Sequence, residues 1–227
     1  MSSLPYGALN WRSKAAAAIL LLTASMAQAE EVTLVALGDS LTQGYGLPEE
    51  AGFVPQMEAW LEENGADVEL INAGVSGDTT AGGLARVEWS LTPEVGGMIV
   101  ALGGNDLLRG IDPASSRANL RGILEAAQAR GLPVLLVGLE ATGNYGADYK
   151  TAFDAMYPDL AGEFDALLAP DFFAGIRGAA GDPQAMRRFM QGDGIHPDAE
   201  GVARIVEALG PHVLKLVDRA EAAETPG

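Results

Sequence analysis

The chain has 227 residues, 14 basic against 31 acidic side chains for a formal charge of −17, no cysteine, and 48% hydrophobic residues. These counts exclude a disulfide, a thiolate zinc site and a cysteine nucleophile, and the acidic balance lacks the basic footprint that a nucleic acid or an anionic membrane needs. Length and apolar content fit one well-cored domain.

Residues 1–29 stand apart from that domain. A polar segment carrying Arg12 and Lys14 leads into the apolar run Ala15 to Leu22 and ends in Ala27-Gln28-Ala29, the pattern of a secretory signal peptide. Cleavage near Ala29 removes only those two charges, taking −17 to −19 over the remaining 198 residues. The expectation is a soluble, acidic protein, secreted or periplasmic, with an uncut anchor helix as the alternative. The absence of a cysteine at the cleavage point argues against a lipid tether, and no later run is long enough for a membrane span. No stable membrane anchor is therefore expected.

Strands and helices alternate through the rest. Val32 to Leu37, ending at Gly38, reads as a buried strand. Phe53, Val54, Met57, Trp60 and Leu61 recur at helical spacing until Asn64-Gly65. Val68 to Ile71 is a second strand, followed by a weaker helix through Leu84, Val87 and Leu91 that Gly82 and Gly83 soften. Met98 to Leu102 is a third strand. Asp112-Pro113 starts a helix with Leu120, Ile123, Leu124 and Ala127 on its buried stripe, and Gly131 ends it. Val134 to Val137 is the fourth strand. Tyr149, Phe153, Met156, Tyr157 and Leu160 predict a helix kinked or broken near Pro158, and Ala166 to Leu168 a short fifth strand. Val202, Ile205, Val206 and Leu209 define a last helix that Gly210-Pro211 is expected to interrupt before Val213, Leu216 and Val217. The single domain spans 30–219, and 220–227 reads as a frayed tail.

This alternation predicts a parallel sheet covered on both faces, with ligands gathering outside the carboxyl ends of its strands. Three glycine-rich loops stand at those ends: Gly38-Asp39-Ser40-Leu41-Thr42-Gln43-Gly44, Asn72 to Asp78, and Gly103-Gly104-Asn105-Asp106. A fourth segment, Gly192-Asp193-Gly194-Ile195-His196-Pro197, lies near the C-terminus. Together they hold a serine, an amide, a histidine and an acid, the inventory of a serine hydrolase.

Only His196 and His212 exist. His212, among Val213, Leu214 and Leu216, reads as a surface or helix-start residue. His196 sits in a glycine loop, where Pro197 holds it extended and able to enter a cleft. A serine needs such a base, and the base needs an acid to fix its tautomer. Ser40, directly after a strand and beside Gly38, is the candidate nucleophile, with Ser76 as its rival. Asp193 is three residues from His196 and within reach of its Nδ1. Asp39 and Asp106 are competing acids, although capping or bracing is the simpler role for them.

Gly38-Asp39-Ser40-Leu41, Gly77, Gly104-Asn105-Asp106 and Asp193-x-x-His196 resemble, in order and spacing, the four blocks of the GDSL/SGNH hydrolases. Gly103 through Gly110, Asn144-Tyr145-Gly146 with Tyr149, Tyr157-Pro158, and Asp193 to Pro197 look most like the secreted thioesterase/protease/lysophospholipase branch, also described as arylesterases. The resemblance implies a three-layer α/β/α sandwich with a flavodoxin-like parallel sheet of five strands, and no metal or cofactor. It implies Ser40 as nucleophile, His196 as base and Asp193 as its orienting acid, with an oxyanion hole from the Ser40 and Gly77 amides and the Asn105 side chain. The implied partner is a small acyl ester or thioester, such as an aryl ester, acyl-CoA or lysophospholipid. Asp39, Leu107, Leu108, Tyr145 and Ile195 are the expected substrate contacts, with 107–113 and 143–148 as loops walling the channel.

The α/β-hydrolase signature Gly-x-Ser-x-Gly is absent, as are phosphate-binding and dinucleotide-binding glycine motifs. The Gly- and Ala-rich segment 174–188 departs from the branch and is expected beside the cleft. Alternatives are a carbohydrate O-acetylesterase and a periplasmic ligand-binding module without chemistry. The acidic surface further implies that substrate affinity comes from apolar contact.

Overall fold

The computed structural model describes residues 31–180 and 185–224. The leader expected over 1–29 lies outside the described residues.

Each apolar, β-branched run forms a strand: Val32–Gly38 (β1), Val68–Gly74 (β2), Gly97–Ala101 (β3), Val134–Val137 (β4) and Leu167–Ala169 (β5). They pair in parallel in the order β2-β1-β3-β4-β5. The chain steps from β1 out to β2 and returns past β1 to β3, so the strand order reverses between β1 and β3. At such a switch point the connections leave in opposite directions, and a crevice opens beyond the strand ends.

The helices are Ser40–Gln43 (α1), Phe53–Glu63 (α2), Thr80–Ser90 (α3), Gly104–Arg109 (α4), Pro113–Ala129 (α5), Ala147–Glu163 (α6), Ala174–Ala180 (α7) and Ala199–Glu224 (α8). One layer is α2, α7 and α8, and the other is α3, α5 and α6. Every residue of β3 and β4 is buried. Each fully buried Val, Leu or Ile contributes about 1.5–3 kcal/mol, which makes the central sheet a rigid base for the loops at its ends. Asp112 caps α5 by accepting from the Ala114 N–H at 2.9 Å, with Pro113 in the first turn, so that helix start is set locally. Among the described residues no helix is long and apolar enough to cross a membrane.

Five expectations are corrected. Pro158 does not break α6, and Pro211 does not interrupt α8. An interior proline costs about 3 kcal/mol. Buried side chains beyond each one, Leu160 and Ala161 in α6 and Val213, Leu216 and Val217 in α8, offset that cost and keep each helix unbroken. The tail is helical as far as Glu224, with Ala220 fully buried; residues 225–227 lie outside the described residues. Leu107 and Leu108 belong to a short helix, α4, rather than a loop. His212 accordingly lies within a helix and not at the start of one.

Candidate active site

Ser40 is the first residue of α1, directly beyond β1. Asp39 caps that helix, its Oδ1 accepting from the Leu41 N–H at 3.0 Å. The cap turns the chain sharply and leaves the Ser40 hydroxyl facing the crevice. His196 arrives from the loop before α8, 156 residues away along the chain, and its Nε2 lies 2.9 Å from Ser40 Oγ. Its Nδ1 lies 2.7 Å from Asp193 Oδ2. The other Asp193 oxygen accepts from the Ile195 and His196 backbone N–H groups at 2.9 and 3.0 Å. The bond to His196 and these two amides hold the Asp193 carboxyl down at about 2. It stays ionised at neutral pH and fixes the imidazole with Nδ1 as donor and Nε2 as acceptor toward the serine.

The competing acids have other partners. Asp106 is fully buried and accepts from the Thr80 N–H at 2.8 Å and the Ser116 hydroxyl at 2.7 Å, tying α4 to α3 and α5. Asp39 is only 2% exposed. Besides Leu41, it accepts from Asn105 Nδ2 at 3.3 Å. Burial raises its carboxyl to about 6, opposed by the Leu41 and Asn105 bonds. Both acids therefore brace loops. Ser76, the rival nucleophile, hydrogen-bonds Gln43 instead of a histidine.

Gly77 and Asn105 flank Ser40. Gly77 has a positive φ of 82°, which aims its backbone in a way that a side chain would disfavour, and its carbonyl accepts from Arg109 at 2.8 Å. Asn105 lies two residues after Gly103, whose φ is 119°. A Cβ there would lie 2.3 Å from the Tyr157 hydroxyl, so glycine is required where β3 turns into α4. Asn105 Nδ2 also donates to the Asp78 carbonyl at 3.0 Å. Among the described residues, the Ser40 and Gly77 amide N–H groups have no hydrogen-bond acceptor. Ser40, Gly77 and Asn105 line one cavity.

Beside the serine lies a cavity of about 540 Å³, walled largely by Leu41, Leu107, Leu139, Phe173, Met186 and Met190. Leu108 and Ile195 also line it, and Asp39 reaches it only as a buried group already engaged. Tyr145 does not line it. Its ring packs on Tyr149 at 4.9 Å and its hydroxyl donates to the Leu108 carbonyl, which ties it to α4. The 174–188 segment contributes Arg177 and Met186 to the wall; residues 181–184 lie outside the described residues. Arg177 is held by Asp171, which burial and hydrogen bonding make its principal partner.

Sequence reasoning missed Tyr45, whose ring lies 4.6 Å from the His196 ring. It also missed Gln191, whose amide donates to the Tyr45 carbonyl at 2.8 Å and the Pro197 carbonyl at 2.9 Å. The Tyr45 pairings have no local signature, because the partners are far apart in the chain.

A parallel α/β sandwich carrying a Ser-His-Asp relay at its switch point defines the class, a serine hydrolase. The model of the GDSL-like lipase/acylhydrolase family matches residues 36–204. The chain is 38% identical over 201 residues to esterase TesA of Pseudomonas aeruginosa, covering 88% of this chain and 95% of that protein. It is 35% identical over 202 residues to thioesterase 1/protease 1/lysophospholipase L1 of Escherichia coli K12, covering 88% and 91%. The crystal structure of AlinE4, an SGNH-hydrolase family esterase, superposes with a TM-score of 0.66 at 44% identity, covering 82% of this chain and 96% of that one. The chain belongs to the GDSL-like lipase/acylhydrolase family and is an ester-hydrolysing enzyme.

Proposed function

We propose that this protein is an exported serine esterase that cleaves carboxylic esters and thioesters with hydrophobic acyl groups through an acyl-enzyme on Ser40. The observation that carries this reading is the continuous relay from Ser40 Oγ through His196 to Asp193, at 2.9 and 2.7 Å, opening onto an apolar cavity. His196 Nε2 takes the hydroxyl proton as Ser40 Oγ bonds to the carbonyl carbon. The carbonyl oxygen becomes an anion facing the Ser40 and Gly77 amides and the Asn105 side chain. The tetrahedral adduct collapses, the alcohol or thiol leaves with the proton from His196, and the acyl group stays on Ser40. Water then loses a proton to His196, attacks the acyl carbon and releases the acid, and Ser40 recovers its proton. Asn105 Nδ2 already serves Asp39 and Asp78, so it hands one hydrogen to the oxyanion, and the longer bond to Asp39 is the one to yield.

The names of the relatives, with esterase, thioesterase and lysophospholipase among them, support aryl esters, acyl-CoA and lysophospholipids as the substrate range. The leader-like residues 1–29 support export, to the periplasm or beyond. A fluorophosphonate probe should label the wild type on Ser40, as located by peptide mapping. Ser40→Ala and His196→Ala should each lower ester turnover by about 10⁴-fold or more. An active, probe-labelled Ser40→Ala protein would sink the assignment. A chain-length series of p-nitrophenyl esters, run beside acetylated sugars, separates this reading from an acetyl-sugar esterase: turnover confined to acetate would reject it.

A further inference from the structure

Arg86 lies on α3 and does not line the cavity, yet its guanidinium meets two of the three stretches of chain that surround the reacting carbonyl, and reaches the third, that of Asn105, through Asp78. Its Nε donates to Asp78 Oδ2 at 2.6 Å. One terminal nitrogen donates to the Ala73 carbonyl and the other to the Gly38 carbonyl, both at 2.8 Å. Gly38 precedes Asp39-Ser40, so the second contact fixes the peptide that leads into the nucleophile turn. Ala73 is at the end of β2, where the loop carrying Gly77 begins. Asp78 follows Gly77, and its own carbonyl accepts from Asn105 Nδ2. Arg86 and Asp78 are 22% and 19% exposed at their side chains, so solvent screens the pair only in part.

We propose that Arg86 is a positioning residue for the oxyanion hole, one planar cation that sets the spacing between the Ser40 turn, the Gly77 loop and the Asn105 amide. It touches no reacting atom. The carbonyls it holds lie at the carboxyl ends of two adjacent parallel strands, and that of Gly38 also accepts from the Val75 N–H at 3.1 Å, so the fork ties the ends of both strands together. A guanidinium directs several N–H groups in a fixed fork, whereas an ammonium is a single flexible point. An oxyanion hole works because its donors are already in place when charge develops, and a misplacement of about 1 Å is enough to cost about 10²-fold in rate. Arg109, on the opposite side, holds the Gly77 carbonyl, so the loop is gripped from both ends.

The inference rests on the assignment of Ser40, Gly77 and Asn105 to the reacting centre, and its test separates the two. Arg86→Met keeps the apolar stem and removes the fork. It should lower kcat for a p-nitrophenyl ester by about tenfold to a hundredfold, with KM within about twofold of wild type. Affinity for a trifluoromethyl ketone, which Ser40 converts to a tetrahedral oxyanion, should fall by the same factor as kcat/KM. Arg86→Lys should recover part of both. Arg130→Met is the matched control, because Arg130 likewise ties a carbonyl and a carboxylate, those of Leu91 and Glu88, at the opposite end of the sheet. It should lower the unfolding midpoint and leave kcat and ketone affinity unchanged. A folded Arg86→Met protein with wild-type kcat, or with no greater loss of ketone affinity than the control, would overturn the proposal. If Arg86→Met does not fold, Asp78→Asn carries the test, with an expected fall of about tenfold in kcat matched by ketone affinity; no change there would equally overturn it. Failure of the fluorophosphonate to label wild-type Ser40 would instead reject the underlying site assignment.

Discussion

Replacing Asp39 by Asn should make the protein more stable at neutral pH and a poorer enzyme. Burial is the main reason the carboxyl rises from 3.8 to about 6, outweighing the lowering by the Leu41 and Asn105 bonds and the nearby His196. A raised acid binds its proton more tightly folded than unfolded, so folding is favoured at low pH and loses that advantage as pH climbs from 3.8 through about 6. At pH 7.5 the folded protein thus bears a cost of about 3 kcal/mol for the ionised group, while at pH 4.5 the cost is about 1 kcal/mol. The substituted amide does not titrate, and asparagine caps a helix as well as aspartate does. That amide would face the Asn105 amide, donor against donor, for a loss of about 1–2 kcal/mol at both pH values. The variant should therefore gain about 2 kcal/mol on wild type between pH 4.5 and 7.5, and urea unfolding of both proteins at the two pH values measures it. A stability difference that does not change with pH would refute the reasoning. The same substitution takes the carboxylate acceptor from Asn105, and ester turnover at pH 7.5 should fall with it.

Gln191→Leu removes both arms of the clamp between the Tyr45 and Pro197 carbonyls, and should lower kcat about tenfold with little change in KM as the His196 loop loosens; steady-state kinetics decide. Tyr45→Phe, which keeps the ring over His196, should leave kcat near wild type. Leu139→Trp fills part of the apolar cavity, so the ratio of long-chain to short-chain kcat/KM should drop about tenfold or more across a p-nitrophenyl ester series. Tyr157→Phe strips the buried hydroxyl from the Leu102 carbonyl, a 3.0 Å bond, and should cost about 1–3 kcal/mol in urea unfolding.

The Ser40–His196–Asp193 geometry was legible because histidine is scarce: of two histidines, one lies in a glycine loop three residues from an acid. The strands were legible because a sheet buried on both faces needs unbroken apolar runs, as in Val134–Val137. Pro158 and Pro211 misled because the local rule for proline ignores what is buried further along the same helix. α4 was hidden by its Gly-Asn-Asp opening, which has the composition of a turn; its hydrogen bonds depend on Gly103 adopting a positive φ. Arg86 carried no signal at all. Periodicity placed its helix, but a polar side chain's partners on two other segments lie outside any pattern of spacing.

Ser40 and His196 are 156 residues apart, and the histidine loop is anchored by the helix on its C-terminal side: the Asp198 carboxylate caps α8 at Gly201, and α8 lies across four of the five strands. A nascent chain that has emerged only as far as β4 already owns its nucleophile turn and both amide loops, yet it has no base. With Ser40 and His196 in their proposed roles, ester turnover should begin only after the histidine loop has reached the serine. In a refolding experiment the appearance of activity should then mark the closing of the whole chain rather than of any one part.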